Sequence, residues 1–384
     1  MSRTVFLPGA TIGVLGGGQL GRMLALEARR MGYRCLVLDA AADAPAAQVA
    51  DGCIVAPLDD VEAARELARR SDVVTFEWEN ADVDALRELE DIVPLRPGPG
   101  VLEIAQHRLL EKDTARKIGL PTAEYRAVRS REDLRRAVDE IGAPSVLKTV
   151  RGGYDGRGQA RIRTRADIEG AFRELGGGEV ELIIEEWIRF RLEISVICAR
   201  APGGEIRTYP ISENVHRAGI LESTVAPARI PDAVATEARR MGEAFAEEIE
   251  LVGLLAVEMF VGEDDSLRVN EIAPRPHNSG HYTWEACSVS QFEQHIRAVC
   301  GLPLGAPELL RPAAMINLLG DEVGTGLGRG GVVGALRQPS VALHLYGKGE
   351  ARPGRKMGHL TALADTPGAA LEAARAAKDA LLRG

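Results

Sequence analysis

The sequence is short of several things, and each shortage removes a class of function. No apolar run reaches the ~20 residues needed to cross a bilayer, so no membrane-spanning helix is expected. The first ten residues, Met1 to Ala10, have too short an apolar core for a secretory leader and no small-residue cleavage site, which makes a cytoplasmic protein the default. Five cysteines (Cys35, Cys53, Cys198, Cys287, Cys300) are odd in number, far apart and never spaced C-x-x-C. That argues against a disulfide framework and against a zinc site, and leaves reduced, mostly buried thiols. Positive charge is also in deficit: 47 Lys and Arg stand against 56 Asp and Glu, a net charge of −9. General nucleic-acid binding is therefore disfavoured, although a local cationic cluster can still hold a small anion. A Walker-type G-x-x-x-x-G-K-[ST] loop is missing too, so a phosphate site has to be built another way. Length is not in short supply, since 384 residues suffice for two or three domains with their own cores.

What is present is concentrated in Val269-Asn-Glu-Ile-Ala-Pro-Arg-Pro-His-Asn-Ser-Gly-His281. An apolar run ends on Asn270 and Glu271, two oxygen ligands side by side. Pro274 and Pro276 then deny the segment a helix, so Arg275, His277, Asn278 and His281 are expected on an extended, stiffened loop. Upstream, Leu254 to Val261 reads as a strand with Glu258 sunk among apolar residues, and a buried carboxylate must be paired, protonated or metal-bound. With the turn Gly262 to Ser266 between them, Glu258 and Glu271 can face each other across a hairpin, an arrangement suited to Mg²⁺ carrying nucleotide phosphates. A solvated strand end with a stray buried Glu explains the same residues equally well, so the rest of the chain has to decide.

Residues 11 to 95 alternate short apolar runs with helical patterns, the βαβ rhythm of a parallel sheet covered on both faces. At its first strand-to-helix turn lies Gly16-Gly-Gly-Gln-Leu-Gly21, which fits G-x-G-x-x-G, and Asp39 ends the second strand where a ribose-binding acid would stand. Alone, that pair suggests a dinucleotide oxidoreductase. Any phosphate suits such a helix N-terminus, however, and glycines can serve packing alone. Arg96-Pro-Gly-Pro-Gly100 is a break and marks the first domain boundary. A second α/β unit runs from Tyr125 into Ser145-Val-Leu-Lys148. It feeds Arg151-Gly-Gly-Tyr-Asp-Gly-Arg-Gly-Gln159, four glycines in seven positions flanked by strands, which reads as a hairpin lid closing over phosphates beside Lys148. A floppy surface hairpin explains the glycines but not Lys148, Tyr154, Asp155 and Arg157 together.

Val180 to Ile188 reads as a buried strand whose backbone can meet an adenine edge, and Glu193 sits inside the next apolar strand. His216 reads as an ordinary loop or core histidine. Gly324 to Gly334 shows no periodicity and reads as a loop. Lys348, Arg352, Arg355 and Lys356 crowd a glycine-bounded turn, either a solvated charge run or a phosphate clamp.

Four motifs together resemble the ATP-grasp enzymes: Gly16 to Met23, Gly152 to Gln159, Asn270 to His281 and Arg352-Pro-Gly-Arg-Lys-Met-Gly-His359, in the family's order and spread over nearly the whole chain. The resemblance implies an α/β protein of ATP-grasp architecture. Residues 1–97 would form an N-terminal Rossmann-like parallel-sheet domain binding a ribonucleotide, and 98–315 a central α+β core with a lid at about 120–188. Residues 316–384 would form a small C-terminal α+β domain with the cationic hairpin. It further implies ATP- and bicarbonate-dependent carboxylation of the exocyclic amine of 5-aminoimidazole ribonucleotide through carboxyphosphate, in purine biosynthesis, by a cytoplasmic homodimer.

Carried residue by residue, Arg108, Lys148 and the lid (Gly153, Tyr154, Asp155, Gly156, Arg157, Gly158, Gln159) would hold the ATP phosphates. Glu185, Glu186, Trp187 and Ile188 would meet the adenine, Glu193 the ribose, with His216 near the nucleotide. Glu258, Asn270 and Glu271 would hold Mg²⁺. On the substrate side the resemblance implies Gly18, Gln19, Leu20, Glu77, Tyr154, His277, Asn278, Ser279, Lys348 and Arg355. Asp155, Arg275, His277, Lys348 and Arg355 would act in catalysis, with Asp155 or His277 taking the amine proton. Three rivals remain: a formyl-phosphate-forming sibling acting on glycinamide ribonucleotide, an NAD-linked oxidoreductase, and a non-catalytic nucleotide sensor. The oxidoreductase leaves the second glycine loop and the paired glutamates unexplained.

Overall fold

The structure is a computed structural model describing residues 4–153, 156–324 and 327–383. Tyr154 and Asp155 lie outside the described residues. Among the described residues the strands form three sheets. The first contains β1 (Thr11–Leu15), β2 (Arg34–Asp39), β3 (Gly52–Val55) and β4 (Val73–Phe76), in the order β3-β2-β1-β4 and all parallel. Its strands are short and nearly continuous in apolar character because helices cover both faces, as the βαβ rhythm predicts. Strand β1 ends at the Gly16 turn, and the helix Gln19–Arg30 begins there.

The second sheet is antiparallel and contains β5 (Tyr125–Val128), β6 (Ser145–Thr149), β7 (Gln159–Ile162) and β8 (Leu182–Glu186), in the order β5-β8-β6-β7. The glycine-rich segment joins β6 to β7 as a hairpin, with Lys148 paired to Gln159.

The third sheet has nine strands: β9 (Leu192–Arg200), β10 (Ile206–Thr208), β11 (Ser212–Arg217), β12 (Ile220–Ala226), β13 (Gly253–Val261), β14 (Leu267–Ala273), β15 (Ala313–Leu319), β16 (Val341–Leu345) and β17 (Lys356–Leu363). It runs β14-β13-β9-β11-β12-β15-β17-β16, with β10 on the edge of β9. The 254–261 and 269–273 segments therefore belong to the same sheet as the strands flanking the cationic turn. A core of Phe292, Ile296 and Val299 against Leu20, Leu24 and Val37 of the parallel-sheet region also takes in Tyr346, which follows β16 of the large sheet.

Two local expectations change. Gly324 to Gly334 is not all loop, because Arg329–Leu336 is a helix packed on the Pro367–Leu382 helix. Its glycines are what permit the approach: a Cβ on Gly331 would strike the carbonyl of Leu381, and one on Gly334 would sit 3.4 Å from Ala380 Cβ. Glycine carries no hydropathy pattern, so a helix held by tertiary contact at glycines is invisible to periodicity. The extended loop after β14 is also shorter than Pro274 and Pro276 suggest. A 3₁₀ turn forms at Asn278–Gly280 and a helix at Thr283–Ala286, since a proline restricts the residue before it and not those that follow.

Candidate active site

At one end of the cleft, β6 and β8 present Lys148 and Glu185, both largely buried, with Nζ donating to Oε2 at 2.8 Å. Burial lowers the Lys148 ammonium, Glu185 pulls it back, and Arg108 and Lys112 nearby push it down again, leaving it below its usual value. Burial raises Glu185, but Lys112 and then Lys148 outweigh it and bring the carboxyl down to about 2. Arg108 donates to Glu271 Oε2 at 3.2 Å and to the Gly153 carbonyl at 3.2 Å, so it joins the glycine hairpin to β14. Within the hairpin Thr149 N–H donates to the Gly158 carbonyl at 2.9 Å, Gly156 lies against the Ala218–Gly219 turn, and Arg157 is exposed. Beyond β8, Glu186 N–H donates to the Glu124 carbonyl and Trp187 N–H to that of Pro144. The Arg161 guanidinium stacks 3.8 Å from the Trp187 ring centre, and Ile188 is buried. The backbone N–H groups of Glu186 and Trp187 are thus engaged within the protein.

Toward the middle, Glu258 and Glu271 are cross-strand partners on β13 and β14. The register then shifts, pairing Met259 with Val269 and leaving Asn270 as a bulge. A bulge re-aims a side chain that strict alternation would send to the opposite face, so Asn270 and Glu271 need not face opposite sides although they are adjacent. Burial, and then the charge of Glu271, raise the Glu258 carboxyl. Burial opposes Glu271 as well, but Arg108 and Lys148 outweigh it and keep that carboxyl low. His216 Nδ1 is hydrogen-bonded to Glu193 Oε2 across β11 and β9. Burial disfavours its charged form, yet the bond to Glu193 and the charges of Glu258 and Glu271 raise its pKa. The structure therefore places His216 in the cluster, unlike the isolated core histidine its sequence context suggests.

On the far side of these carboxylates, Arg275 donates to Glu79 Oε1 at 2.8 Å, and His277 Nε2 stands 3.6 Å from Glu258 Oε1. His277 Nδ1 is 2.8 Å from Ser279 Oγ. Burial first, then Arg275 and Lys356, hold the His277 imidazole well below its usual pKa, so it is neutral. Asn278 and Ser279 are buried. The Asn278 amide pairs twice with that of Asn317 (3.1 and 2.6 Å), and Ser279 braces His277, so both side chains are engaged inside the protein.

A cavity of about 260 Å³ lies between the first glycine turn and the cationic loop, lined among others by Gly18, Gln19, Asp39, Lys348 and Arg355. The glycine turn is held by carboxylates. Gly17 N–H donates to Asp39 at 2.8 Å, Gly21 N–H to Glu77 at 2.9 Å, and Gly18 N–H also to Glu77. Burial raises the Glu77 carboxyl against these two backbone donors. The cationic side chains lining this cavity are Lys348, which donates to the Lys356 carbonyl at 2.8 Å, and Arg355, which donates to that of Glu350 at 2.7 Å. Leu20 is buried in the core behind the turn.

Sequence reasoning assigned no role to several supporting residues. Helix Arg108–Lys117 meets three consecutive residues of β14. Lys112 Nζ donates to the Asn270 carbonyl at 3.3 Å, Arg108 reaches Glu271, and Glu111 accepts from Ile272 N–H at 3.4 Å. The signal was available, since Arg108, Glu111 and Lys112 stand at i, i+3 and i+4, one face of a helix. Glu79, which holds Arg275, and Gln106, which donates to the Glu79 and Ala81 carbonyls, carried no such signal.

Comparison with known proteins matches three stretches of the chain to three family models. Residues 9–106 match the ribonucleotide synthetase preATP-grasp domain, 113–292 the ATP-grasp domain, and 313–373 the phosphoribosylaminoimidazole carboxylase C-terminal domain. The N5-carboxyaminoimidazole ribonucleotide synthase of Bacillus subtilis is 48% identical over 365 residues, covering 94% of this chain and 93% of the relative. That of Brucella melitensis is 44% identical over 94% of this chain and 98% of the relative. Among solved structures, an ADP complex of an N5-carboxyaminoimidazole ribonucleotide synthetase superposes with a TM-score of 0.92 at 48% identity, covering 97% of each chain. The Aspergillus clavatus enzyme in complex with ADP and 5-aminoimidazole ribonucleotide gives 0.89 at 36%, covering 98% of this chain and all of that one.

Proposed function

The chain belongs to the N5-carboxyaminoimidazole ribonucleotide synthases of the ATP-grasp fold, and from that premise we propose how its residues divide the work. The enzyme is an ADP-forming ligase that converts 5-aminoimidazole ribonucleotide, ATP and bicarbonate to the N5-carboxylated ribonucleotide in purine biosynthesis. A bicarbonate oxygen attacks the γ-phosphorus, the bond to ADP breaks, and carboxyphosphate forms. The exocyclic amine then attacks the carboxyl carbon, or CO₂ released from it. A C–N bond forms, phosphate leaves and the amine gives up a proton.

The observation that carries the assignment of residues is the opposed pair Glu258 and Glu271, lying between the cations Arg108 and Lys148 on one side and Arg275 with His277 on the other. Arg108, Lys148 and the glycine hairpin serve the ATP phosphates, where little covalent work is needed beyond positioning and charge stabilisation. Strand β8 and its continuation to Ile188 serve the adenine, and Glu193 with His216 the ribose. Arg275 and neutral His277 face the carboxyphosphate, an anion that a dry, covered site protects from water. Glu77, Gln19, Lys348 and Arg355 hold the ribonucleotide, with the two cations taking its phosphate. Asp155 or His277 accepts the amine proton, and burial beside Arg275 and Lys356 keeps the His277 imidazole neutral, the form able to accept it.

Two facing carboxylates, of which Glu258 is raised by the charge of Glu271, fit a hard cation, so Glu258, Glu271 and Asn270 would hold Mg²⁺. When bound, the ion neutralises charge on the transferring phosphoryl group. Among the described residues no three His, Cys, Asp or Glu side chains converge on one point, and a Mg²⁺ that takes its remaining ligands from phosphates and water does not require them. No helix among the described residues is long and apolar enough to cross a membrane. A cytoplasmic homodimer completes the reading on family resemblance, and light scattering in solution tests the dimer. The central test is ADP release from ATP, Mg²⁺ and aminoimidazole ribonucleotide with and without bicarbonate. ADP release that ignores bicarbonate would sink the carboxylation, and release that requires formate instead would assign the formyl-transferring sibling.

A further inference from the structure

Glu185 is shared by two lysines. Its Oε2 accepts from Lys148 at 2.8 Å, while Lys112 Nζ stands 3.4 Å from Oε1, and that oxygen, though buried, accepts no hydrogen bond. Glu185 is 3% exposed and Lys112 2%. The two lysines differ in what else holds them. Lys148 sits at the mouth of the glycine hairpin, opposite Gln159 on β7. Lys112 rises from the Arg108–Lys117 helix and is anchored from behind by the Asn270 carbonyl at 3.3 Å. Arg108, the other cation close to Glu185, is committed to Glu271 and Gly153.

A buried carboxylate stripped of its only counter-ion is strongly destabilised. If Lys148 were the sole partner of Glu185, each nucleotide that drew Lys148 toward its phosphates would leave such a carboxylate behind, and that cost would be subtracted from binding. We propose that Lys112 is the permanent counter-ion of Glu185. It is a positioning residue that never touches the nucleotide, but it releases Lys148 to move between Glu185 and the phosphates. The free Oε1 is the place where Lys112 tightens as Lys148 leaves. The inference rests on the reading that Lys148 serves the ATP phosphates.

Calorimetric titration of the full-length protein with ADP and Mg²⁺ tests it, using the parent, Lys112→Met, Glu185→Gln, the double variant and Lys148→Met. Lys112→Met weakens ADP by about 30-fold or more, and adding Glu185→Gln restores affinity to within about 3-fold of the parent, because no carboxylate remains to be neutralised. If Lys112 merely braced Asn270, its loss would cost the same with or without Glu185, so persistence of the defect in the double variant overturns the proposal. ADP affinity unchanged in Lys112→Met also overturns it. Should Lys112→Met fail to fold, recovery of folding and ADP binding in the double variant supports the proposal, and failure of both overturns it. Lys148→Met separates the premise from the inference. Normal ADP affinity there removes Lys148 from the phosphate site altogether, whereas weakened affinity without coupling between Lys112 and Glu185 removes only the counter-ion role.

Discussion

Glu258 and Glu271 face each other across β13 and β14 at the last regular pair before the register slips past Asn270. Two carboxylates held in this way are poorly placed for stability, since the charge of Glu271 raises the Glu258 carboxyl, which is itself largely removed from water. The arrangement makes sense when a cation is shared between them. Glu258→Gln is therefore expected to lower ADP formation by about 100-fold or more while leaving the ligand-free fold at least as stable. Thermal unfolding checks both halves: added Mg²⁺ and ADP should raise the midpoint of the parent by more than that of the variant. An equal rise in both would remove Glu258 from the metal site.

Glu111 gives a pH prediction with a definite sign. Burial, set against Lys112 and Arg108, pushes its carboxyl up to about 8, and its Oε1 has no hydrogen-bond partner. In the unfolded chain the same group titrates near ~4.3. Between those values the folded state keeps a proton that the unfolded state has lost, so stability contributed here is full below the unfolded pKa and declines as pH rises toward 8. The limiting slope from one such group is about 1.4 kcal/mol per pH unit. Glu111→Gln, which stays neutral, removes that decline. Urea unfolding at pH 5.5 and 7.5 should show the variant gaining on the parent at the higher pH, and parallel pH profiles would mean that Glu111 is charged in the fold.

The contrast between these two glutamates shows what the sequence could convey. Glu258 and Glu271 were legible because strand alternation and a short turn fix which residues oppose each other. The glycine hairpin after Lys148 was legible because strand-forming residues flank it on both sides. Glu111 and Lys112 share a helix face with Arg108, but a helix face says nothing about what lies against it, and β14 arrives from 158 to 161 residues away. The bulge at Asn270 is a slip within the β13–β14 hairpin that strand alternation does not reveal, and the amide pair of Asn278 with Asn317 joins residues 39 apart in sequence, which no local pattern encodes. The Arg329–Leu336 helix was hidden for the opposite reason: its contacts are made by glycines, which leave no apolar stripe.

The first glycine turn is predicted to act through Glu77. Its carboxylate accepts from Gly18 and Gly21, and a Cβ on Gly18 would come within 2.6 Å of Oε1. Glu77→Ala frees both backbone donors and should raise KM for aminoimidazole ribonucleotide by about 10-fold or more, with KM for ATP nearly unchanged. Gly18→Ala should shift the same parameter in the same direction but by less, because the end of a flexible side chain can yield where backbone cannot. Steady-state kinetics varying each substrate in turn decides it. A matching rise in KM for ATP would place Glu77 in the general scaffold instead of the ribonucleotide end.

Lys348 is predicted to depend on a contact that crosses from the first sheet's connecting segment to the third sheet. Gln48 Nε2 donates to the Gly347 carbonyl at 2.9 Å, while its Oε1 accepts from Arg22 at 3.0 Å. Gly347 has φ +72°, a conformation that favours glycine, and a Cβ there would collide with the Gln48 amide. Gly347→Ala thus meets two penalties at once, backbone strain and a clash with the group that positions the next residue. Of these, the strain alone is worth about 1 kcal/mol and is survivable in a chain of this size. The displacement of Lys348 is the larger functional effect, because a phosphate held by an ammonium loses affinity when the charge moves away. The expected result is a rise of about 10-fold in KM for the ribonucleotide with the thermal midpoint lowered by only a few degrees. Gln48→Ala, which removes the clash and the anchor together, should partly restore KM in the Gly347→Ala background if the clash dominates. If strain at residue 347 dominates, the double variant will be no better than Gly347→Ala alone.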